Sequence, residues 1–431
     1  IVVFIIIRRI NMNQLINMLE NGKSQFHVVD ISKKILENNG FELLSINDDW
    51  VLTPGQKYMT NPYSSMLVAW VMGENATSVR LSAAHTDFPM LKLKSNPEIT
   101  KKGYVQINVE PYGGLITQTW FDRPLGLAGK VVLKGKDAFT PDVRLFDSEK
   151  PICIIPNLAP HLKRDSKVQD VDVQKELIPI LATLESVSGL SEGERVTEGF
   201  ILHYLADKLS VPDTDILDYD LYLYIDAKPS CMGLNDEFIA GARIDNISSV
   251  SAIIEALSSD NIKNCIAIGA FFDNEEIGSR SKQGADSLLL RDIVTRIVPD
   301  KKLLNNAFNM SVDVAHATHP NYVEKSDITN DIILGNGVVL KSSAAQKYVT
   351  DSEAGAVVAA LSREKNVKIQ RQVNRSGMPG GQTLGPIMAA YLPIKSVDIG
   401  IPMLAMHSAC ELAHSSDYTE LVRLLTAYYE Y

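Results

Sequence analysis

Short apolar runs that end at an acidic residue or a histidine recur along the chain. Runs of about four to eight apolar residues between turn signals are typical of buried strands. The runs, each with the polar residue that follows it, are Ser78–Ala84 before His85, Leu234–Ile244 before Asp245, Cys265–Phe272 before Glu275 and Glu276, Met310–Val312 before Asp313, and Ile399–Met406 before His407. Loops that leave the carboxyl ends of strands in an open α/β sheet share one crevice. The pattern therefore predicts that these polar residues form a single site.

Segments with helical spacing alternate with these runs. Helices are predicted at Asn13–Asn39 (one helix or two), Asp245–Ser258, Ser287–Arg296, Ser352–Lys365 and His414–Tyr429. Further strands are predicted at Phe41–Leu44, Ser64–Val71, Asn309–Val312 and Lys368–Gln372. This alternation indicates an α/β fold with a mostly parallel central sheet and flanking helices.

Residues 95–231 differ from the rest of the chain in their pattern of apolar and polar residues. Short alternating β segments such as Tyr104–Val109 and Lys130–Leu133 are separated there by turns that contain glycine. None of the acids and histidines that end the apolar runs lies in this block. We therefore expect residues 12–94 and 232–431 to form the domain that carries the site, with a smaller β-rich domain inserted between them.

The chain begins with the apolar stretch IVVFIIIRRI. This stretch is too short to cross a bilayer, and charge follows it, whereas charge precedes the apolar part of a signal peptide. We interpret residues 1–11 as an extension, with a hydrophobic strand as the alternative.

Composition and charge narrow the class of protein. At 431 residues, with 45% hydrophobic and 22% charged residues, the chain has the composition of a globular protein with two domains. A formal net charge of −10 argues against nucleic acid or a membrane surface as a partner. Cys153, Cys231, Cys265 and Cys410 lie far apart, which favours a reducing compartment over a disulfide framework. We expect a cytoplasmic protein.

The acids and histidines have the residue types of a metal site. His85 and Asp87 form a His-x-Asp unit in which the carboxylate can orient a metal-binding imidazole. Asp245 opens a predicted helix, where Asp is also a common N-cap. Glu275 and Glu276 are adjacent, so one can bind a metal while the other holds a water as general base. The alternative for this pair is a solvated helix start stabilised by the helix dipole.

Asp313 is followed closely by His316 and His319. Packing alone does not explain three polar residues leaving one apolar strand, so we favour Asp313 as a ligand and the histidines as groups that face the substrate. His407, taken alone, is more typical of a satisfied core residue. As a set, two histidines and several carboxylates suit zinc, manganese or cobalt better than calcium. Two such ions about 3.5–4 Å apart would activate a water for amide or ester hydrolysis.

At these residues the chain resembles the aspartyl aminopeptidase family of metallopeptidases. The matching segments occur in the family's order over nearly the whole chain from about Met12. They are Ala-Ala-His-Thr-Asp (83–87), Val-Glu-Pro-Tyr-Gly-Gly (109–114), Trp-Phe-Asp-Arg-Pro-Leu-Gly-Leu-Ala-Gly (120–129), Asp-Asn-Glu-Glu-Ile-Gly-Ser (273–279), Asp-Val-Ala-His-Ala-Thr-His-Pro-Asn-Tyr (313–322) and His-Ser-Ala-Cys-Glu (407–411).

The resemblance implies a two-metal aminopeptidase, usually with zinc, in which Glu275 is the general base and Asp87 the orienting acid. The implied ligands are His85, Asp245 and Asp313 for one metal and Asp245, Glu276 and His407 for the other. The resemblance also implies that the inserted domain serves oligomerisation or acts as a lid. The implied assembly is a tetrahedron-shaped homo-dodecamer built from dimers.

The same resemblance implies peptide substrates with an acidic N-terminal residue. Lys341 and His316 match positions of the specificity pocket, and His161 matches a residue that reaches the neighbouring subunit's active site. A lysine would pair with a substrate carboxylate. The alternative for Lys341 is a simply exposed side chain.

Two features depart from the family pattern. Phe88 follows Asp87 where many relatives carry a small polar residue, and its bulk would narrow the pocket. The glycine-rich segment Arg375–Gln382 matches only loosely. Related dimetal enzymes therefore stay open as alternatives, namely a neutral aminopeptidase, a carboxypeptidase or a deacylase. The non-enzyme alternative is a catalytically silent assembly or cargo protein.

Overall fold

The computed structural model describes residues 2–162, 170–188, 199–378 and 380–431, without the side chains of residues 2–11 and 188. The chain divides into two compact units. The first comprises the described residues up to Phe88 with Pro229–Met406 and Cys410–Tyr431. The second comprises the described residues of Pro89–Lys228 with His407–Ala409.

The borders of the units differ slightly from the expected ones. The second unit begins at Pro89 and not at residue 95, because a single long strand, Met90–Lys101, belongs to its sheet from the first residue onward. It ends at Lys228 and not at residue 231, because Ser230–Met232 pairs with a strand of the first unit. His407–Ala409 joins the second unit, where the amide of Ile116 donates to the carbonyl of His407 at 3.1 Å.

The first unit contains most of the helices and strands. Its strands are β1 Phe41–Leu43, β2 Lys57–Tyr63, β3 Met66–Met72, β4 Ser78–His85, β11 Ser230–Met232, β12 Phe238–Gly241, β13 Cys265–Phe272, β14 Ala307–Val312, β15 Ala315–His316, β16 Val338–Lys341, β17 Ile369–Gln372, β18 Lys395–Gly400, β19 Pro402–Leu404 and β20 Glu411–His414. Its helices are α1 Val2–Asn21, α2 Gln25–Asn38, α6 Ile244–Leu257, α7 Leu289–Ile297, α8 Lys301–Asn305, α9 Ser352–Lys365, α10 Leu384–Tyr391 and α11 Ser415–Glu430.

The second unit is built on one antiparallel sheet. Its strands are β5 Met90–Lys101, β6 Tyr104–Tyr112, β7 Leu125–Leu133, β8 Asp142–Asp147, β9 Ile180–Thr183 and β10 Ile216–Ile225, in the spatial order β8-β7-β10-β5-β6-β9. Its helices are α3 Val173–Glu176, α4 Leu184–Ser188 and α5 Phe200–Leu209. Alternating apolar residues that point to one face of such a sheet give it a core. The expected β-rich character is present.

The main sheet of the first unit has the order β1-β2-β3-β13-β4-β14-β18-β16-β17. Within the described residues, five of its eight pairings are parallel and three are antiparallel, namely β2 with β3, β3 with β13 and β16 with β18. The α/β class is confirmed, and the parallel character is confirmed in part. The antiparallel β2–β3 pair follows from a short hairpin connection between Tyr63 and Met66, which cannot join parallel strands.

Helices cover both faces of this sheet, so its central strands are buried throughout. Ile268 of β13 lies in the apolar cluster that includes Ile293 of α7 and Met388 of α10. On the other face, Gly269 lies against Leu257 of α6, and the thiol of Cys265 donates to the carbonyl of Tyr429 in α11. Burial on both faces explains why β13 reads as a continuous apolar run without alternation.

The two N-terminal helices differ from one expectation. The predicted helical segment is two helices that break near Gly22, and α1 begins at Val2. The alternative prediction of a hydrophobic strand at the start of the chain was therefore wrong, because the backbone of residues 2–11 is helical. No helix in the described part of the chain is long and apolar enough to cross a membrane.

Candidate metal centre

The parallel strands β13, β4 and β14 bring their carboxyl ends to one edge of the main sheet. His85 ends β4 in register with Phe272 of β13, and Asp313 directly follows β14. The imidazole Nε2 of His85 lies 3.4 Å from Asp245 Oδ1 and 3.5 Å from Asp313 Oδ1. The structure thus brings together side chains that are far apart in the sequence. His85 and Asp313, for example, are separated by 228 positions.

Asp245 is held at the start of α6 in a non-helical conformation, with φ −76° and ψ 107°. Its backbone amide donates to Glu411 Oε2 at 3.1 Å. The next residue, Asn246, donates through its side chain to the carbonyl of Val312 at 3.0 Å, and the peptide bond between Asp245 and Asn246 is cis. Because these hydrogen bonds fix the backbone, the carboxylate of Asp245 faces His85 and does not serve as a regular helix cap.

Asp87 organises the opposite side of the centre. Its carboxylate accepts the backbone N–H groups of Glu275 and Glu276 at 3.1 and 3.2 Å, and these two residues lie on the short 3₁₀ helix Glu275–Ile277. The same carboxylate lies 3.5 Å from His85 Nδ1. Asp87 has no exposed surface. Through these contacts it orients both His85 and the paired glutamates.

The tautomer of His85 follows from its hydrogen bond. Nδ1 lies 3.0 Å from the backbone carbonyl of Asp87, which can only accept, so Nδ1 carries the proton. Nε2 then faces the carboxylates of Asp245 and Asp313. A histidine that binds a metal through one nitrogen and donates from the other to a carbonyl has this arrangement.

The electrostatics of the cluster call for a cation. Burial alone lowers the pKa of His85, but the carboxylates of Asp245 and Asp313 outweigh it and hold this pKa well above its usual value. Burial raises the pKa of Glu275 well above its usual value, and the neighbouring negative charges add to the effect. Several carboxylates crowded into a buried site repel one another unless positive charge joins them.

Two groups of potential ligands lie within the first unit, each with ligand atoms within 4.8 Å of one another. One consists of His85, Asp245 and Asp313, and the other of His85, Glu275 and Glu276. Carboxylate oxygens with an imidazole nitrogen are a donor set that zinc accepts. The residues therefore fit a divalent metal ion.

His407 belongs to the second unit, in a conformation with φ 67°. Its Nδ1 lies 2.9 Å from the carbonyl of Gly114, so the same argument places the proton on Nδ1 and makes Nε2 the acceptor. The tautomer suits a metal ligand. The role itself stays a prediction.

The three expected substrate residues lie in different surroundings. Lys341 is buried, with 2% of its surface exposed, so the alternative of an exposed side chain is wrong. Its Nζ donates to the carbonyl of Val314 at 3.0 Å and lies 3.6 Å from Asp313 Oδ2. His316 is exposed on β15, and His161 is exposed on the short 3₁₀ helix Pro160–Leu162 of the second unit. Their contacts with a substrate stay predictions.

A cavity of about 310 Å³ opens beside β15 in the first unit. Its polar lining residues are His316, Thr318, His319, Lys325, Ser326, Asp327, Asn330, Gln372, Asn374 and Arg375. Sequence reasoning missed Lys325 and Arg375, because they come from separate loops and no local pattern pairs them. Arg375, Met378 and Gly380 of the loosely matching segment Arg375–Gln382 line the cavity wall, and Pro379 lies outside the described residues.

Phe88 does not line this cavity. Its side chain is buried, with 1% exposed, and the guanidinium of Arg243 lies 5.8 Å from its ring centroid. The expectation that its bulk narrows the pocket finds no support, because the ring packs into the interior.

Comparison with known proteins gives the family. A family model described as Aminopeptidase I zinc metalloprotease (M18) matches residues 18–429. The chain belongs to the M18 family. It is 38% identical over 430 residues to the "Probable M18 family aminopeptidase 2" of Clostridium novyi (strain NT), an alignment that covers 97% of this chain and 98% of that protein. Members of the family are metalloaminopeptidases, so the predicted enzyme class and family are confirmed.

Solved structures of family members support the fold. The structure of a complex of Ape4 and Nbr1 matches with a TM-score of 0.92 at 30% identity, covering 98% of this chain and 86% of that chain. The structure of an mApe1 dodecamer from S. cerevisiae matches with a TM-score of 0.83 at 25% identity, covering 98% of this chain and 97% of that chain.

Proposed function

We propose that this M18 zinc aminopeptidase removes acidic residues from the N-termini of peptides, with Glu275 as the general base. The observation that carries the proposal is the convergence of His85, Asp245, Asp313 and the two glutamates at one sheet edge. The family supplies the reaction class. The base and the acidic preference are our inference from the residues.

Two divalent ions are proposed, with His85, Asp245 and Asp313 around one and Asp245, Glu276 and His407 around the other. The donor set supports zinc, and manganese or cobalt would also fit it. These residues would hold the ions, which when bound would supply Lewis acidity, lowering the pKa of a bound water and offsetting negative charge on the peptide carbonyl oxygen.

Glu275 is proposed to take the proton from the attacking water and to deliver it to the leaving amine. Its carboxylate lies 4.0 Å from His85 Nε2, and 14% of the side chain is exposed, so it borders a proposed ligand and retains some contact with solvent. In the metal-free site, burial raises the pKa of Glu275 above its usual value, and a carboxylate within reach of a bound water can act as a general base. Asp87 fixes the backbone of the glutamate pair through its two hydrogen bonds.

An acidic preference is supported by the charge of the cavity beside β15. Lys325 and Arg375 line it with His316, and its acid, Asp327, is engaged with Thr329 and Asn330. His316 is three residues beyond Asp313, so the cavity begins no more than about 10 Å along the chain from a proposed ligand. A side-chain carboxylate of the substrate would pair with such cations.

Further parts of the proposal concern assembly and location. We propose a homo-oligomer, in line with the dodecamer of the related mApe1, with the β-rich unit serving assembly or closure and His161 reaching the site of a neighbouring copy. Cys153, Cys231, Cys265 and Cys410 form no disulfide in the described part of the chain, which supports a reducing compartment such as the cytoplasm.

The variant Glu275→Gln tests the base. A positioned general base contributes about 10²–10⁴-fold to the rate, so kcat is expected to fall by at least that factor. Zinc content is expected to stay at the wild-type level, because three other residues hold each ion. Glu364→Gln, an exposed change on α9, is the matched control. Near-wild-type turnover of the fully loaded Glu275→Gln protein would exclude Glu275 as the base.

The variant Arg375→Gln tests the acidic preference. We expect kcat/KM for an N-terminal Asp substrate to fall by about tenfold or more, which corresponds to about 1.4 kcal/mol, with little change for a Leu substrate. The control is Arg363→Gln on the exposed face of α9. An equal fall in kcat/KM on both substrates, or no fall on either, would show that the cavity does not determine specificity. Such a result would favour a neutral aminopeptidase.

A further inference from the structure

The turn that carries Glu275 and Glu276 begins at a residue in an uncommon backbone conformation. Asn274 directly precedes the pair and is left-handed, with φ 62° and ψ 24°. Residues other than glycine adopt this conformation only at an energetic cost, which asparagine bears better than most because its short polar side chain can hydrogen-bond locally. The direction in which both glutamates leave β13 therefore depends on what holds Asn274.

Gln283 contacts the start of this turn from the far end of the same loop. Its side-chain Nε2 donates to Asn274 Oδ1 at 3.1 Å and lies 3.4 Å from Asp273 Oδ2. Its backbone carbonyl accepts from the N–H of Asp273 at 3.1 Å. One glutamine thus binds two consecutive residues through its side chain and its backbone, and the loop that it closes carries both glutamates.

Further hydrogen bonds act on the backbone of the turn. The N–H of Ser279 donates to the carbonyl of Asn274 at 2.7 Å, and the N–H of Gly278 donates to the carbonyl of Glu275 at 2.9 Å. These bonds require Asn274 to keep its left-handed conformation, because a change in its φ and ψ would redirect its carbonyl and every residue after it. The contact of Gln283 with the Asn274 side chain therefore supports the whole turn.

We propose that Gln283 is a positioning residue, which through Asn274 fixes the turn from which the base Glu275 and the ligand Glu276 project. The inference rests on the proposed function, because it takes those two glutamates as base and ligand. Displacement of a reacting group by about 1 Å can cost about 10²-fold in rate, even when the altered residue lies away from the chemistry. A hydrogen bond at the base of this loop can therefore affect the reaction.

The variant Gln283→Met and a matched control test the hydrogen bond. Methionine has a similar length to glutamine but cannot donate, and Gln56→Met makes the same change at an exposed glutamine of the same unit. At saturating zinc we expect Gln283→Met to lower kcat by about 10–100-fold with little change in KM. In competition with a chelating indicator, its zinc affinity should fall by about 2–10-fold, the factor that one hydrogen bond typically contributes. Gln56→Met should match wild type in both measurements.

A double-mutant cycle with Asn274→Gly identifies the contact through which Gln283 acts. Glycine adopts the left-handed conformation readily and offers no side chain to Gln283. In the Asn274→Gly background, Gln283→Met should therefore have a much smaller effect on kcat and zinc affinity than in wild type. Additive effects would overturn the inference. Wild-type kcat and zinc affinity in Gln283→Met would also overturn it, even with a lower melting temperature, since the glutamine would then serve stability alone.

Hydrogen exchange of the metal-free protein tests the loop without reference to activity. Mass spectrometry of peptides that cover residues 273–283 should show slow exchange in wild type and faster exchange in Gln283→Met. Rapid exchange in wild type would overturn the inference, whether or not the variant folds. Slow exchange in a wild-type protein that neither binds zinc nor hydrolyses peptides would instead refute the proposed function.

Discussion

Replacing Asp87 by asparagine perturbs the centre at the residue that joins its histidine to its glutamates. The amide keeps the size of the side chain but places an N–H₂ group where a carboxylate oxygen accepts from Glu275 or Glu276. One of those two buried backbone N–H groups then loses its acceptor, at a cost of about 1–3 kcal/mol. The negative charge 3.5 Å from His85 Nδ1 is lost as well.

The expected consequence of Asp87→Asn is a weaker metal site. Loss of a group that orients a metal-binding histidine lowers metal affinity by about 10–100-fold, or about 1.4–2.7 kcal/mol of binding free energy. The assay is zinc competition combined with urea unfolding of the metal-free protein. We expect zinc affinity and metal-free stability to fall together.

A matched control separates this effect from a generic loss of a capping hydrogen bond. Asp300 caps α8 through the N–H of Lys302 at 2.8 Å, on the surface and away from the ligands. Asp300→Asn is expected to cost well under about 1 kcal/mol, because asparagine is an equally good cap, and to leave zinc affinity unchanged. If Asp87→Asn binds zinc as tightly as this control does, the orienting role of Asp87 is refuted.

Three further predictions follow from buried groups and from metal linkage. Burial raises the pKa of Glu255 to about 7. The stability that the protonated carboxyl contributes is fully present below its unfolded pKa of about 4.3 and is lost as pH rises through 7. In wild type, urea unfolding should therefore show the free energy of unfolding falling by about 1–3 kcal/mol between pH 5 and pH 8. Glu255→Gln should remove this fall, and an identical pH profile in the variant would contradict the prediction. A Cβ at Gly400 would lie 1.7 Å from the carbonyl oxygen of Asp313, so Gly400→Ala should displace this proposed ligand, lower stability by about 1–3 kcal/mol and weaken zinc binding. Wild-type stability and zinc affinity in this variant would contradict the prediction. Chelation should lower the melting temperature, because zinc at about 100 times its Kd stabilises the folded state by about 2.7 kcal/mol; equal melting of loaded and stripped protein would argue against a metal in this site.

The sequence predicts that His85 and Asp313 come together, because each lies at the carboxyl end of a buried strand. His85 and Asp313 come at the ends of β4 and β14, which are neighbours in the sheet. A continuous apolar run followed by an acid or histidine is a local signal, and parallel neighbours turn several local signals into one site. Convergence at the carboxyl edge could therefore be expected without knowledge of strand order.

The environment of Lys341 could not be predicted in this way. Its burial depends on the register that pairs it with Asp398, 57 positions further along the chain. Register between distant strands is not encoded in a local pattern. Lys325 and Arg375 were missed for a similar reason, since only the folded chain brings their two loops to one cavity.

The directions of some strands could not be predicted from the sequence pattern either. Strand β16 lies antiparallel to β18 although both are short buried runs like their parallel neighbours. Periodicity indicates that a strand is buried but does not give its direction. The hairpin between β2 and β3 is the exception, because a two-residue connection requires antiparallel strands.

The most direct test of the account is hydrolysis of a panel of aminoacyl p-nitroanilides by the purified protein, before and after chelation and again after zinc, manganese or cobalt is restored. The account predicts release from Asp and Glu substrates above Leu and Ala substrates, loss of activity on chelation, and recovery with a divalent metal. Preference for neutral residues would contradict the acidic pocket and keep the metalloaminopeptidase. Absence of activity with every metal would contradict the central claim.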